Sequence, residues 1–190
     1  DSYDYFNDDS GCAYVVLSDG MGSGGRAAVD SAMTCGLLMR MLRCGFAFDA
    51  ALKLVNAALL VKSSDESLAT LDVVRLNLFN GQVELFKAGA APTFVRRNGM
   101  TGAIACSSLP VGILKGVCCE KRTLTLGKGD ILVQVSDGVI GEDYEWIGSV
   151  LELWRDGTAA ELAEKIAAEA VRRRIDGHED DITVTVIVIQ

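Results

Sequence analysis

Two Asn-Gly dipeptides, beginning at Asn80 and Asn98, constrain the fold of this chain more than any other feature. Each dipeptide separates two short runs that are rich in apolar residues. Asn-Gly between such runs is typical of a tight β-hairpin. The flanking runs cover residues 70–79 and 82–88 around the first dipeptide, and 92–97 and 100–106 around the second. The middle of the chain is therefore predicted to form a meander of antiparallel strands.

Helical periodicity lies on both sides of this region. Apolar residues recur at three- and four-residue steps from Gly25 to Cys44 and from Phe48 to Val61, and helices are also predicted at 144–153 and 158–173. Short apolar runs at 12–17, 120–126, 130–136 and 182–189 predict further strands. Strands in the middle and helices at either side predict an α+β fold, with helices layered on largely antiparallel sheet.

Length and composition limit the possible functions. A chain of 190 residues with 49% hydrophobic content and no linker fits one globular domain. Its net charge of −8 disfavours nucleic acid, whose binding draws on Lys and Arg, and suits cations instead. The 6 cysteines form no C-x-x-C pair and there is 1 His, so zinc is disfavoured and reduced thiols of a cytoplasmic protein are expected.

The start of the chain suggests a larger protein. No apolar run approaches the ~20 residues of a membrane span, so no membrane contact is expected within this segment. The sequence begins at Asp1 without an initiator Met. We therefore expect a C-terminal fragment of a longer, cytoplasmic protein, with any membrane anchor in a missing N-terminal region.

Acidic residues occur at the ends of several predicted strands. The tripeptide Ser-Asp-Gly follows an apolar run twice, with its aspartates at Asp19 and Asp137, and the pair Asp180 and Asp181 precedes the last run. Carboxylates that converge at a sheet edge repel one another unless a cation neutralises them. Mg²⁺ and Mn²⁺ prefer such oxygen ligands. The pattern favours a metal site, although Asp-Gly is also an ordinary turn dipeptide.

Other candidate groups have weaker support. The glycine-rich loop 20–25 could hold a phosphate on its backbone N–H groups or let the backbone pass close to metal ligands, but it lacks the lysine of a P-loop. Ser18 and Ser136 lie outside G-x-S-x-G and are expected to be structural rather than nucleophilic. His178 is interpreted as a solvated loop residue, with proton donation to a leaving group as the alternative. The basic run from Arg172 to Arg174 is interpreted as surface.

Seven motifs follow one another along nearly the whole chain. They begin at Asp1, Ser18, Ala69, Lys87, Leu109, Ser136 and Asp180. In this order they resemble the metal-dependent type 2C (PPM) serine/threonine phosphatases, and more closely the branch typified by stage II sporulation protein E. The resemblance implies an α-β-β-α sandwich, in which two largely antiparallel sheets are flanked by helix pairs. It also implies a single catalytic domain over residues 1–190, with two divalent metal ions, Mn²⁺ or Mg²⁺.

The resemblance assigns roles to individual residues. Asp19 matches the carboxylate that bridges both metals, and Gly20 matches the residue whose carbonyl oxygen binds one of them. Asp137 and Asp180 match the remaining direct ligands. Asp1 matches an acidic position that reaches a metal through water. Asp19 and Asp137 are therefore the candidate catalytic residues.

Two further residues receive indirect roles. Asp181 stands where many relatives carry Asn, so it is expected to act through a ligand rather than as one. An alignment shifted by one residue would exchange the roles of Asp180 and Asp181. His178 is a candidate for a similar supporting role.

The resemblance also implies a function. A metal-activated water would hydrolyse phosphoserine or phosphothreonine on a small anti-anti-sigma-factor-like protein, in sporulation or stress control of sigma factors. The helices from Gly25 to Cys44 and from Phe48 to Val61 would act as a regulatory switch that completes the metal site, and could support a homodimer. Two alternatives stay open: a catalytically weak PPM-like interaction module, and a metal-dependent hydrolase of small phosphoesters.

Overall fold

The computed structural model describes residues 1–22, 24–62, 67–141, 143–174 and 180–190. These residues fall into two compact units. The first unit comprises Asp1–Ala90 and Cys106–Thr125, and the second comprises Ala91–Ala105 and Leu126–Gln190.

The helices and strands alternate along the chain in blocks. In chain order they are β1 (Ser2–Asn7), β2 (Cys12–Ser18), α1 (Gly25–Arg43), α2 (Phe48–Lys62), β3 (Leu71–Asn77), β4 (Gln82–Ala88), β5 (Thr93–Arg97), β6 (Met100–Ile104), β7 (Glu120–Thr125), β8 (Ile131–Val135), α3 (Asp137–Ile140), α4 (Glu145–Leu153), α5 (Ala159–Arg173) and β9 (Val184–Val188).

The first unit is built on a sheet with strand order β1-β2-β3-β4-β7. All of its neighbouring strands are antiparallel. Val16, Val73 and Phe86 lie opposite one another on β2, β3 and β4 and belong to one face of this sheet. That face packs against Leu38 of α1 and Val55 of α2. Burying a side chain of this size contributes roughly 1.5–3 kcal/mol, so this apolar face holds the two helices on the sheet.

The second unit has its own sheet, with strand order β6-β5-β8-β9 and antiparallel pairing throughout. Ile131 and Val133 of β8 pack with Ile147 of α4 and with Leu162 and Ile166 of α5. A capping box begins α5, because the side chains of Thr158 and Glu161 each accept a hydrogen bond from the other residue's backbone N–H. Each unit therefore has its own apolar core.

The α+β class and the antiparallel sheets predicted from the sequence are confirmed. The predicted helices from Gly25 to Cys44 and from Phe48 to Val61 each end within one residue of the observed α1 and α2. The turn at Asn98 and Gly99 has φ values of 50° and 78°, which is typical of a two-residue hairpin of type I′. None of the helices among the described residues has both the length and the apolar character to span a bilayer.

The first predicted hairpin has a longer turn than its sequence indicated. Strand β3 ends at Asn77, so residues 78–81 connect it to β4. The Asn77 side-chain oxygen accepts hydrogen bonds from the backbone N–H groups of Phe79 (2.9 Å) and Asn80 (3.3 Å). This local capping favours the turn over continuation of the strand.

The cysteines are consistent with the expected reduced state. All 6 are free thiols. Burial raises the pKa of Cys35 to about 12 and that of Cys119 to about 12. Both thiols are therefore protonated and unreactive near neutral pH.

Candidate active site

The first unit brings Asp1 and Asp19 together. Strands β1 and β2 are antiparallel, and their register pairs Ser2 with Ser18. Asp1 directly precedes Ser2, and Asp19 directly follows Ser18, so both lie at the same end of the two strands. Two half-buried carboxylates thus share one end of this sheet.

Thr70 fixes the position of the Ser18-Asp19 turn. The buried Ser18 hydroxyl donates to the Thr70 carbonyl oxygen at 2.8 Å. The Asp19 N–H donates to the Thr70 hydroxyl at 2.9 Å, and the Thr70 N–H donates to the Asp19 carbonyl oxygen at 2.7 Å. These contacts agree with a structural role for Ser18.

Gly20 lies in a tight backbone crossing. It forms an isolated antiparallel bridge with Ala69, and the hydrogen bonds of that bridge are made by the residues before and after Gly20. The Gly20 carbonyl therefore points to the opposite edge, away from Ala69. A Cβ atom at Gly20 would lie 1.8 Å from the Ala27 carbonyl oxygen. The crossing excludes every other residue type and directs the Gly20 carbonyl away from the sheet ladder.

The second unit brings Asp137 close to the Asp180-Asp181 segment. Asp137 is the exposed first residue of α3. The buried Ser136 hydroxyl donates to the Asp181 carbonyl oxygen at 3.2 Å and accepts from the Thr183 N–H at 3.0 Å. Ser136 thus has the same positioning role that Ser18 has in the first unit.

Gly138 packs directly on this segment. A Cβ atom at Gly138 would lie 2.1 Å from the Asp181 carbonyl oxygen. The Asp181 N–H donates to the Asp180 carboxylate at 2.9 Å. Asp180 and Asp181 are both exposed, and they precede β9 at the end of the sheet where Asp137 follows β8.

A buried ion pair was missed by the sequence reasoning. Lys87 and Asp72 are opposite one another on β4 and β3, their side chains are 1% and 2% exposed, and Nζ lies 2.5 Å from Oδ2. Leu17 of β2 lies opposite Asp72, so the ion pair shares a face of the sheet with Leu17, two residues before Asp19. Lys87 and Asp72 both belong to motifs on which the family resemblance rests. Those motifs were the feature of the sequence from which the ion pair could have been found.

Two predictions about the loops have different outcomes. His178 lies outside the described residues, as does one residue of the loop 20–25. In the basic run interpreted as surface, Arg172 and Arg173 are exposed, whereas Arg174 is half-buried and donates to the carbonyl oxygen of Asp180. Its position at the end of α5 lets the guanidinium reach the neighbouring turn.

Comparison with known proteins identifies the family. Residues 9–190 match the family model described as Stage II sporulation protein E (SpoIIE). The chain belongs to the SpoIIE family. It is accordingly a domain of the PP2C-type serine/threonine phosphatase family, and the resemblance noted in the sequence is confirmed.

Two curated relatives show how much of a SpoIIE protein is present. The chain is 32% identical to stage II sporulation protein E of Priestia megaterium, covering 100% of this chain and 34% of that protein. It is 31% identical to the Bacillus subtilis (strain 168) protein of the same name, covering 92% of this chain and 22% of that protein. The chain therefore spans about a third or less of these relatives.

Solved structures agree with the PP2C fold. The PP2C phosphatase domain of SpoIIE from Bacillus subtilis, solved with a fragment of its regulatory domain, matches with a TM-score of 0.87 at 29% identity over 99% of this chain and 58% of that chain. RsbX in complex with magnesium matches with a TM-score of 0.74 at 21% identity over 97% of this chain and 84% of that chain, which shows the shared fold.

The donor groups of each unit fit the metal dependence of this family. Asp1, Asp19 and the Gly20 carbonyl offer oxygen atoms in one unit, and Asp137 and Asp180 do so in the other. Oxygen-only donor sets suit hard divalent cations such as Mg²⁺ and Mn²⁺. Within the described residues, no three His, Cys, Asp or Glu side chains are grouped as a metal cluster.

Proposed function

We propose that this chain is the catalytic domain of a metal-dependent phosphatase that hydrolyses phosphoserine or phosphothreonine on a small regulatory protein. The observation that carries the proposal is the repeated Ser-Asp-Gly turn. In both units the serine is buried and hydrogen-bonded, the aspartate lies next to a second acidic residue, and the glycine has no room for a side chain. Such rigid presentation of carboxylates is what a metal centre requires.

Five residues would hold two divalent cations, Mn²⁺ or Mg²⁺. They are Asp1, Asp19, Gly20, Asp137 and Asp180. When bound, such cations lower the pKa of a water molecule and neutralise charge on a phosphoryl group. Asp19 and Asp137 would be the principal ligands, since each directly follows a buried serine whose hydroxyl is hydrogen-bonded to a neighbouring segment.

Two residues would support these ligands. The Asp181 carbonyl accepts a hydrogen bond from Ser136, which supports an indirect role for Asp181 beside Asp137. His178 keeps its expected supporting role as a prediction from the sequence.

The substrate and the regulation follow from the family. The SpoIIE relatives support an anti-anti-sigma-factor-like phosphoprotein as the substrate, in the control of sporulation or stress. We assign α1 and α2 the role of a regulatory switch, because the Ala27 carbonyl of α1 contacts Gly20. Exposed Val29 and Leu54 on these helices support a homodimer contact. The chain would act as one catalytic domain, 1–190, of a longer protein and face the cytoplasm.

Hydrolysis of p-nitrophenyl phosphate with added Mn²⁺ tests the proposed function. Asp19→Asn and Asp137→Asn should each lower the rate at least about a hundredfold, because each removes one of the charged ligands. Asp9→Asn and Asp156→Asn change exposed acidic residues in the same two units and serve as controls with unchanged rates. The enzyme hypothesis fails if the unmodified chain hydrolyses neither this ester nor a phosphoprotein in the presence of Mn²⁺.

The same preparation distinguishes the alternatives. A faster rate per site on a phosphoserine protein than on free nucleotides supports a protein phosphatase. The reverse order supports a hydrolase of small phosphoesters. Binding of Mn²⁺ with no hydrolysis of either substrate class supports a catalytically weak interaction module.

A further inference from the structure

Arg174 differs from the two arginines that precede it. Arg172 and Arg173 are exposed, and both pair with Glu169 on the same helix. Arg174 is half-buried at the C-terminal end of α5, and its guanidinium contacts backbone carbonyl groups instead. The three residues are adjacent in sequence, but they have different surroundings.

The carbonyl groups that Arg174 contacts lie beside candidate metal ligands. Its Nη2 atom lies 3.5 Å from the Gly138 carbonyl oxygen and donates to the Asp180 carbonyl oxygen. Gly138 directly follows Asp137. One planar cation thus bridges the turn that carries Asp137 and the segment that carries Asp180.

The bridge opposes a repulsion between the two segments. Asp137, Asp180 and Asp181 carry like charges, which favour separation of the turn from the segment when no cation is bound. The Ser136 hydroxyl and the close contact of Gly138 hold the backbones together at Asp181. Arg174 adds positive charge and a contact on each side of the same junction.

We propose that Arg174 is a positioning residue, which holds Asp137 and Asp180 in the relative geometry that metal binding requires. The inference depends on the proposed function, because it concerns two ligands of that metal centre. If Arg174 positions the ligands, its removal should change the metal affinity in the direction opposite to that expected from loss of its charge alone. Loss of positioning weakens metal binding, whereas removal of a nearby positive charge alone would strengthen it.

Titration of the 190-residue chain with Mn²⁺, followed by the electron paramagnetic resonance signal of free Mn²⁺, measures this affinity without any activity assay. Arg174→Ala should raise the dissociation constant about tenfold, as is found for residues that orient ligands. Arg174→Lys should also raise it, because the shorter lysine side chain does not carry its nitrogen to the position of Nη2 between the two carbonyls. Arg172→Ala is the matched control and should leave the constant unchanged.

Phosphatase kinetics give a second measure. Positioning predicts that Arg174→Ala loses activity at low Mn²⁺ and regains nearly the unmodified kcat at saturating Mn²⁺. Thermal unfolding without metal shows whether each variant is folded, and Arg174→Lys provides the comparison if Arg174→Ala is not.

Two results would overturn the inference. One is Mn²⁺ binding by Arg174→Ala that is as tight as that of Arg172→Ala, or tighter. The other is unchanged binding by Arg174→Lys, which would indicate that only the charge matters. Failure of the proposed function is distinguishable from both, because in that case the unmodified chain itself would bind no Mn²⁺ or would bind it without hydrolysing either substrate class.

Discussion

Two glycines show how single residues set the geometry of this domain. Gly20 and Gly138 occupy the same place in the two Ser-Asp-Gly turns, and at each a Cβ atom would lie about 2 Å from a backbone carbonyl oxygen (1.8 Å and 2.1 Å). Neither glycine has a positive φ. They are needed for close approach of the backbone and not for an unusual conformation.

Replacement of Gly20 tests this close approach. Gly20→Ala forces its Cβ against the Ala27 carbonyl, so it should lower the free energy of unfolding by about 2 kcal/mol or more, in the upper range for overpacked sites. Gly25→Ala is a matched control, because a Cβ atom there would have no neighbouring atom within 4 Å and the φ of Gly25 is not positive. The control should change stability by less than about 1 kcal/mol. Urea unfolding measures the free energy of unfolding of both variants, and equal values would contradict the packing argument.

The buried Lys87–Asp72 ion pair shows how one residue can depend on a single partner. A buried charge is tolerated only when a partner compensates it, and loss of one partner typically costs about 3–5 kcal/mol. This pair is nearly inaccessible to solvent and shares a face of the sheet with Leu17, two residues before Asp19. Removal of either partner would therefore leave a buried charge uncompensated, although neither residue was assigned a role from sequence.

At the scale of elements, Asn56 connects α2 to the loop before β7. Its side-chain amide donates to the Leu114 carbonyl oxygen at 2.8 Å, and its side-chain oxygen accepts from the Gly112 N–H at 2.8 Å. The residue before Gly112 is Val111, which pairs with Ala69, and Ala69 pairs with Gly20. A continuous series of backbone contacts thus runs from the loop held by α2 to a candidate metal ligand.

Removal of this amide should loosen the connection. Asn56→Ala leaves the buried Gly112 N–H without its acceptor, so the free energy of unfolding should fall by about 1–3 kcal/mol. Asn56→Asp keeps an acceptor for that N–H but buries a negative charge beside the Leu114 carbonyl oxygen, so it should cost at least as much. Lys53→Ala, an exposed change on the same helix, should have little effect. Chemical unfolding of the three variants provides the comparison, and equal losses in Asn56→Ala and Lys53→Ala would exclude the proposed connection.

The sequence predicted most elements because their apolar periodicity is strong. It missed β1 and α3 for physical reasons. Strand β1 has exposed Tyr3 and Tyr5 with the polar residue Asp4 between them, so it shows no clear apolar face in sequence and depends on pairing with β2. Helix α3 has 4 residues, too few for helical periodicity to be visible.

The candidate site was predictable to a similar extent. Asp19, Asp137 and Asp180 are visible in sequence because Ser-Asp-Gly and Asp-Asp border apolar strands. The role of Arg174 was not visible, because a basic run at the end of a helix is usually solvated. Its contact with Gly138 depends on how α5 packs in the second unit, which no local pattern records.

At the scale of the whole molecule, the acidic residues of the two units have parallel arrangements. In each unit a buried serine fixes a turn, and the turn presents an aspartate beside another acidic residue. Membership of a metal-dependent phosphatase family gives this repetition a chemical reason. In each unit a bound cation would offset the repulsion between neighbouring carboxylates.

Thermal unfolding tests whether the acidic residues of each unit bind metal. A ligand present at a hundred times its dissociation constant stabilises a folded protein by about 2.7 kcal/mol. For a chain of this size, that corresponds to a rise in Tm of roughly 5–10 °C with Mn²⁺. Asp19→Asn in the first unit and Asp137→Asn in the second should each reduce this rise, because each removes a charged oxygen donor. Asp156→Asn changes an exposed aspartate outside the candidate sites and should keep the full rise. A full rise in either ligand variant would contradict a metal-binding role for that aspartate.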